Sequence, residues 1–104
     1  MNKKRREKIK NIISTINVST VDFNLLKVTI ENILDEEQDS FDNMPENLQY
    51  SINGQRSEDS ISFLEDAIEE IDDYYYLTLE ERKEPDIIED VLDNIIDCLK
   101  EAIM

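Results

Sequence analysis

The sequence has no histidine and no tryptophan, one cysteine, one glycine and two prolines in 104 residues. Each shortage removes a class of protein. Without histidine there is no usual general base, no commonest metal ligand and no switch near neutral pH. One cysteine, Cys98, permits neither an internal disulfide nor a cysteine-based zinc site. So little glycine and proline argues against a turn-rich β fold. The chain also lacks any run near the ~20 apolar residues of a membrane span. The basic start does not lead into a signal peptide, because Lys10, Asn11, Ser14, Thr15 and Asn17 interrupt the apolar positions. The composition therefore predicts a soluble intracellular protein with no affinity for membrane.

What is abundant is acid. The formal net charge is −15, from 26 acidic and 11 basic residues. The imbalance is segregated. Residues 1–10 hold Lys3, Lys4, Arg5, Arg6, Lys8 and Lys10 against Glu7, a net of +5, so the remaining residues carry −20. Such a body repels nucleic acid and anionic membrane and attracts basic surfaces. The basic arm is expected to lie on an acidic body, its own or a neighbour's.

Periodicity predicts an all-α fold, a small antiparallel helical bundle built on a helical hairpin and forming one domain over residues 1–104. Ile9, Ile12, Ile13 and Ile16 mark one face of a basic N-terminal helix within residues 1–18. Its cationic first turn opposes the helix dipole. The β-branched and polar residues 17–21 predict a break, with Ser19 capping the next helix. The hairpin helices are predicted at 20–43, carrying Phe23, Leu26, Ile30 and Ile33, and at 57–83, carrying Ile61, Leu64, Ile68, Ile71 and Tyr75. Between them, Pro45 opens a short helix that turns Leu48 and Ile52 inward, Asn53-Gly54 is a stop signal and Ser57 an N-cap. Pro85 starts a last helix at 86–103. Its apolar stripe (Ile88, Leu92, Ile95, Leu99) is wide enough to fill a groove between helices or to meet a second copy of the chain.

No constellation carries an obvious reaction, and the chain is expected not to be an enzyme and to use no cofactor or metal. Asp35, Glu37, Asp39 and Glu46 match four positions of a calcium loop, but Ser40 stands where the sharp turn wants glycine and Asp42 where a hydrophobe belongs. Glu37 interrupts the apolar face of its helix and is expected to form a structural ion pair with Arg56 or Lys27. Cys98 has no base to activate it. A more regular feature is the series Glu58-Asp59, Glu65-Asp66 and Asp72-Asp73, repeating every seven residues, with Glu69-Glu70 interleaved and Glu80-Glu81 extending it. Seven residues are ~10.5 Å of helix, so these carboxylates form an anionic ridge. It is either a solvated outer face or a mimic of a phosphate backbone, presented to a protein that grips nucleic acid with lysine and arginine. Tyr74 or Tyr76 would add an apolar anchor beside it.

Residues 35–49, D-E-E-Q-D-S-F-D-N-M-P-E-N-L-Q, with the acidic helix 57–71 behind them, resemble a group of small acidic helical proteins from phages and mobile elements of Gram-positive bacteria. The resemblance rests on Asp42, Asn43, Pro45, Glu46, Leu48 and Gln49. The break at 17–21 and the helix after Pro85 depart from that group's pattern. The resemblance implies a helical hairpin, a place in the cytoplasm of a bacterial host cell, and no catalytic residues. Charge pattern and resemblance together lead to a non-enzymatic inhibitor of the anti-CRISPR or anti-restriction kind. Its partner would be the basic surface of a host nucleic-acid-binding protein, contacted through Glu58, Asp59, Glu65, Asp66, Glu69, Glu70, Asp72, Asp73, Tyr74 and Tyr76. The alternative is an assembly protein that dimerises through the C-terminal stripe.

Overall fold

A computed structural model describes all residues, 1–104, and contains six helices and no strand: α1 (Lys3–Thr15), α2 (Phe23–Asp42), α3 (Glu46–Gln49), α4 (Ile52–Tyr75), α5 (Leu79–Arg82) and α6 (Pro85–Ala102). No helix is long and apolar enough to cross a membrane. Four of the helices form an up-down-up-down bundle. Partner residues run in opposite directions at each interface: Asn24 and Glu37 of α2 meet Tyr75 and Ser57 of α4, and Ser60 and Glu70 of α4 meet Ala102 and Asn94 of α6. α4 packs on both α2 and α6, and α1 closes the ring by touching those same two helices. α1 therefore lies diagonally across from α4. The long axis spans 50 Å and the two short ones 24 and 18 Å.

The break after α1 is real, but its cap is not Ser19. Asp22 takes that place, accepting the Leu25 N–H at 3.1 Å, so α2 begins at Phe23. α1 overcomes its cationic first turn with a local cap as well: Asn2 Oδ1 accepts the Arg5 N–H at 2.9 Å.

The α2–α4 corner differs more from expectation. Asn53 and Gly54 do not stop a helix; they lie in the first turn of α4, which starts at Ile52 with Ser51 as its N-cap. Gly54 is there for clearance, since a Cβ would overlap the carbonyl groups of Leu48 and Gln49. That close approach lets α3 fold back on α4. Gln49 completes the corner, its amide donating to the Phe41 and Met44 carbonyls at 3.0 and 3.3 Å. Leu48 and Ile52 point outward rather than inward, at 48% and 70% exposure. The corner is closed by backbone proximity and amide bonds, and those side chains are not needed to fill it.

Ser57 is correspondingly not a cap but a buried residue one and a half turns into α4. The buried seam runs Ser57, Ser60, Leu64, Ala67, Ile71 and Tyr74. Its 3-4-3-4-3 spacing is the heptad rhythm of antiparallel packing. Ile61 is buried too, whereas Ile68 and Tyr75 sit half-buried at the flank. The seam combines small residues (Ser57, Ser60 and Ala67) with larger ones (Leu64, Ile71 and Tyr74). α4 ends at Tyr75, well short of residue 83. Thr78 then caps the short α5, and Arg82 ties that turn together by donating to the Leu77 and Tyr75 carbonyls at 3.0 Å each. Pro85 opens α6, where its missing N–H costs nothing. Leu92, Ile95 and Leu99 are buried in the bundle's own core, with Ile88 packed against it. The C-terminal stripe is thus buried inside the chain.

Candidate functional site

The acidic residues of α4 fall on the side away from its buried seam. At 100° per residue they divide into two rows. Glu58, Glu65, Glu69 and Asp72 run along the edge facing α2. Here Asp72 accepts the Lys27 ammonium at 2.6 Å, and that bond above all raises the Lys27 pKa. Asp59, Asp66, Glu70 and Asp73 run along the edge facing α6, where Glu70 accepts the Asn94 amide at 3.3 Å. Glu58, Asp59, Glu65, Asp66, Glu69 and Asp73 are exposed and form no ion pair.

The second row continues onto α6. Asp59 and Glu101 line one shallow depression with Arg56 and Phe63. Cys98 faces the same seam between the helices. Its thiol is pushed up first by burial, then by the carboxylates of Asp66, Glu70 and Asp97. A thiol held protonated beside three acids is a packing residue. The anionic surface therefore continues from α4 onto α6 at Glu101, and Asp90, Asp93 and Asp97 are further exposed acids of α6. Of the 26 acids in the chain, only Glu7, Glu36, Glu37 and Asp72 form ion pairs, which leaves 22 without one.

Tyr74, Glu80 and Glu81 do not join this face as expected. Tyr74 is 9% exposed, its ring centroid 4.3 Å from that of Phe23 and its hydroxyl donating to the Arg82 carbonyl at 2.9 Å. It is a core residue and offers nothing to a partner. Tyr75 sits at the flank, its hydroxyl donating to Asn24 Oδ1 at 2.9 Å, and burial chiefly raises its pKa. Tyr76 is 88% exposed at the end of α4, close in the chain to the equally open Leu79. Glu80 and Glu81 leave the ridge altogether, because α4 has ended and α5 carries them on a separate turn.

On the opposite side of the bundle, the basic arm docks on the acidic body of its own chain. Ile9 is fully buried. Lys8 reaches Glu36 at 3.0 Å, and the bond lowers the Glu36 pKa. Arg5 Nε reaches Glu37 at 2.8 Å. Glu37 is 1% exposed and also accepts the Ser57 hydroxyl at 2.7 Å and meets the Met1 ammonium at 3.3 Å. Neither Arg56 nor Lys27 is its partner. Lys27 is taken by Asp72, and Arg56 lies 100° round α4 from Ser57, the position that faces α2. A glutamate breaking an apolar stripe was the visible signal for this cluster; the serine twenty residues later carried none.

Asp35, Glu37 and Asp39 lie on the unbroken helix α2, with Glu37 turned inward and the other two outward. No group of three or more acidic or cysteine side chains is placed to hold a metal ion. No protein-family model, curated protein or solved structure matches this chain.

Proposed function

We propose that this chain is a non-enzymatic binding module whose α4–α6 face occupies the basic, nucleic-acid-binding surface of another protein. The carrying observation is a set of exposed carboxylates without ion pairs, spread over two helices and backed by a well-filled core. Self-repulsion among so many acids lowers stability. Alternating lysine and glutamate on the same positions would keep the chain dissolved and add stabilising pairs. The rigid backing matters because helix-mounted carboxylates at a ~10.5 Å repeat reach several lysines or arginines at once without first being ordered. Tyr76 at the end of α4 supplies an aromatic contact beside the charges. Inhibitors of host defence in phages, anti-CRISPR and anti-restriction proteins among them, are the functional class this reading favours. The resemblance of residues 35–49 supports the same origin.

The test is capture of a basic nucleic-acid-binding protein from a bacterial lysate on the immobilised chain, followed by competition. High salt and duplex DNA should each release the captured protein, since the contacts are ionic and the site is shared. The variant Glu65→Lys, Asp66→Lys, Glu69→Lys, Asp73→Lys should keep its helical circular dichroism and lose the capture. Capture unaffected by these four changes would sink the proposal.

A further inference from the structure

Three of the chain's four arginines line one pocket. It measures about 380 Å³ and lies at the end of the bundle where α1 and α4 begin. Arg5 and Arg6 reach it from α1 and Arg56 from α4, helices that stand diagonally across the bundle. Glu37 is the one acidic side chain in the lining. Met1 and Met104 add an ammonium and a carboxylate that cancel. Three guanidinium groups against one side-chain carboxylate leave a net of +2, in a chain of net −15. These arginines have donors to spare. Arg5 is 12% exposed and is fixed by its Nε bond to Glu37 at 2.8 Å, while its two terminal nitrogens donate to no protein atom. Arg6 and Arg56 form no ion pair. Asp59 and Glu101 share an adjoining depression with Arg56, yet neither pairs with it and neither lines this pocket.

We infer that this pocket holds the phosphate group of a small phosphorylated molecule. Charge and geometry select the occupant. A neutral ligand would leave the repulsion among the guanidinium groups uncompensated, and a cation would add to it. A phosphate ester brings a charge of about −1.5 to −2 and three acceptor oxygens. That matches the +2 of the lining and offers each arginine an oxygen. A lone carboxylate carries one charge and suits a single guanidinium fork. The first turn of α1 adds to the case. It contains four bases, Lys3 to Arg6, and no acid, at the positive end of the helix dipole. A bound anion offsets that cost. The volume lies within the ~300–1,000 Å³ of small-molecule sites, so room remains beside the phosphate for the rest of the molecule, against Met44 and Ile103. Glu37 acts as a positioning residue by holding Arg5 in place. No residue of the proposed partner contact lines the pocket, so the inference stands apart from the function proposed above.

The test is titration of the whole chain with inorganic pyrophosphate, and separately with citrate, at constant ionic strength, followed by nuclear magnetic resonance of the backbone and arginine N–H groups. Pyrophosphate should bind one to one with a Kd of about 0.1–1 mM and shift the side-chain signals of Arg5, Arg6 and Arg56. Citrate, of similar charge but built of carboxylates, should bind at least about tenfold more weakly. Arg6→Gln and Arg56→Gln should each weaken pyrophosphate binding at least about tenfold. Both should keep the parent's helical circular dichroism, since both side chains are exposed. Lys10→Gln removes the same charge from α1 outside the pocket and should change binding less than about twofold. Failure to saturate at about 10 mM pyrophosphate overturns the inference. Citrate binding as tight as that of pyrophosphate overturns the phosphate assignment. Equal losses from Lys10→Gln and Arg6→Gln would reduce the effect to diffuse attraction and overturn it too. A chain that binds pyrophosphate but captures no basic partner leaves this inference standing and removes the proposed function.

Discussion

The two ends of the chain dock on the same hairpin by different physics. α6 settles between its neighbours on Leu92, Ile95, Leu99 and Ala102, all buried, with two polar ties to α4, the Ser60 hydroxyl donating to the Ala102 carbonyl at 2.6 Å and the Asn94 amide donating to Glu70 at 3.3 Å. α1 buries only Ile9 fully, packs Ile12 and Ile13 half-buried against the core, and adds charge, Arg5 to Glu37 inside and Lys8 to Glu36 outside. Apolar burial at ~25 cal/mol per Å² is indifferent to salt and pH. A charged latch is sensitive to both where water reaches it, and very expensive to break where it does not. The comparison teaches that a helix rich in lysine can be integral to an acidic bundle, provided one of its cations finds a buried carboxylate.

The largest effect should come from putting charge into the apolar side. Ile95→Asp places a carboxylate at a fully buried position and should cost about 4 kcal/mol or more, enough to unfold much of the population in circular dichroism. A folded, helical variant of normal melting temperature would mean that α6 is not the core helix described.

Breaking the latch should come next. Glu37→Gln leaves Arg5 facing a neutral amide in a closed site and should cost about 3 kcal/mol. Amide hydrogen exchange should locate the loss. Protection should fall first in α1, whose attachment depends on Glu37, while α4 and α6 keep theirs. Uniform loss across all four helices would instead make the latch part of one cooperative core.

The smallest effect belongs to the outer pair. Glu36 has its pKa lowered by the bond from Lys8, so its contribution is present above the ordinary glutamate value of 4.5 and is lost as pH falls through the lowered one. Lys8→Met should therefore cost about 0.5 kcal/mol at neutral pH. The gap in melting temperature between variant and parent should close on acidification below that range. A gap that is constant with pH would assign the loss to the packing of the lysine stem.

Much of this was legible from residue spacing. The helical class, the break before α2, the end of that helix ahead of Pro45 and the start of α6 at Pro85 follow from period and cap chemistry, which act within a few residues. The acidic rows on α4 were readable for the same reason, since a seven-residue repeat on a helix must return to one side. The errors gather where a residue's role depends on a distant partner. Gly54 reads as a stop by local propensity, yet it serves a backbone contact with Leu48 and Gln49 across the corner. Ser57 reads as a cap, yet its hydroxyl satisfies a glutamate on another helix. Tyr74 and Tyr75 differ by one residue, and only the direction of the neighbouring helices assigned one to the core and the other to the flank.

By itself, then, the sequence determined four main amphipathic helices, their polarity and a charge divided between a basic first helix and an acidic remainder. Those properties are sums over neighbouring residues. Tertiary structure alone decided that α1 stands opposite α4, that α6 extends the acidic face, and that arginines of α1 and α4 line one pocket. These are consequences of the order in which helices surround a core. That order is set by which side chains fill the shared interior, drawn from all four long helices, and no local pattern contains it.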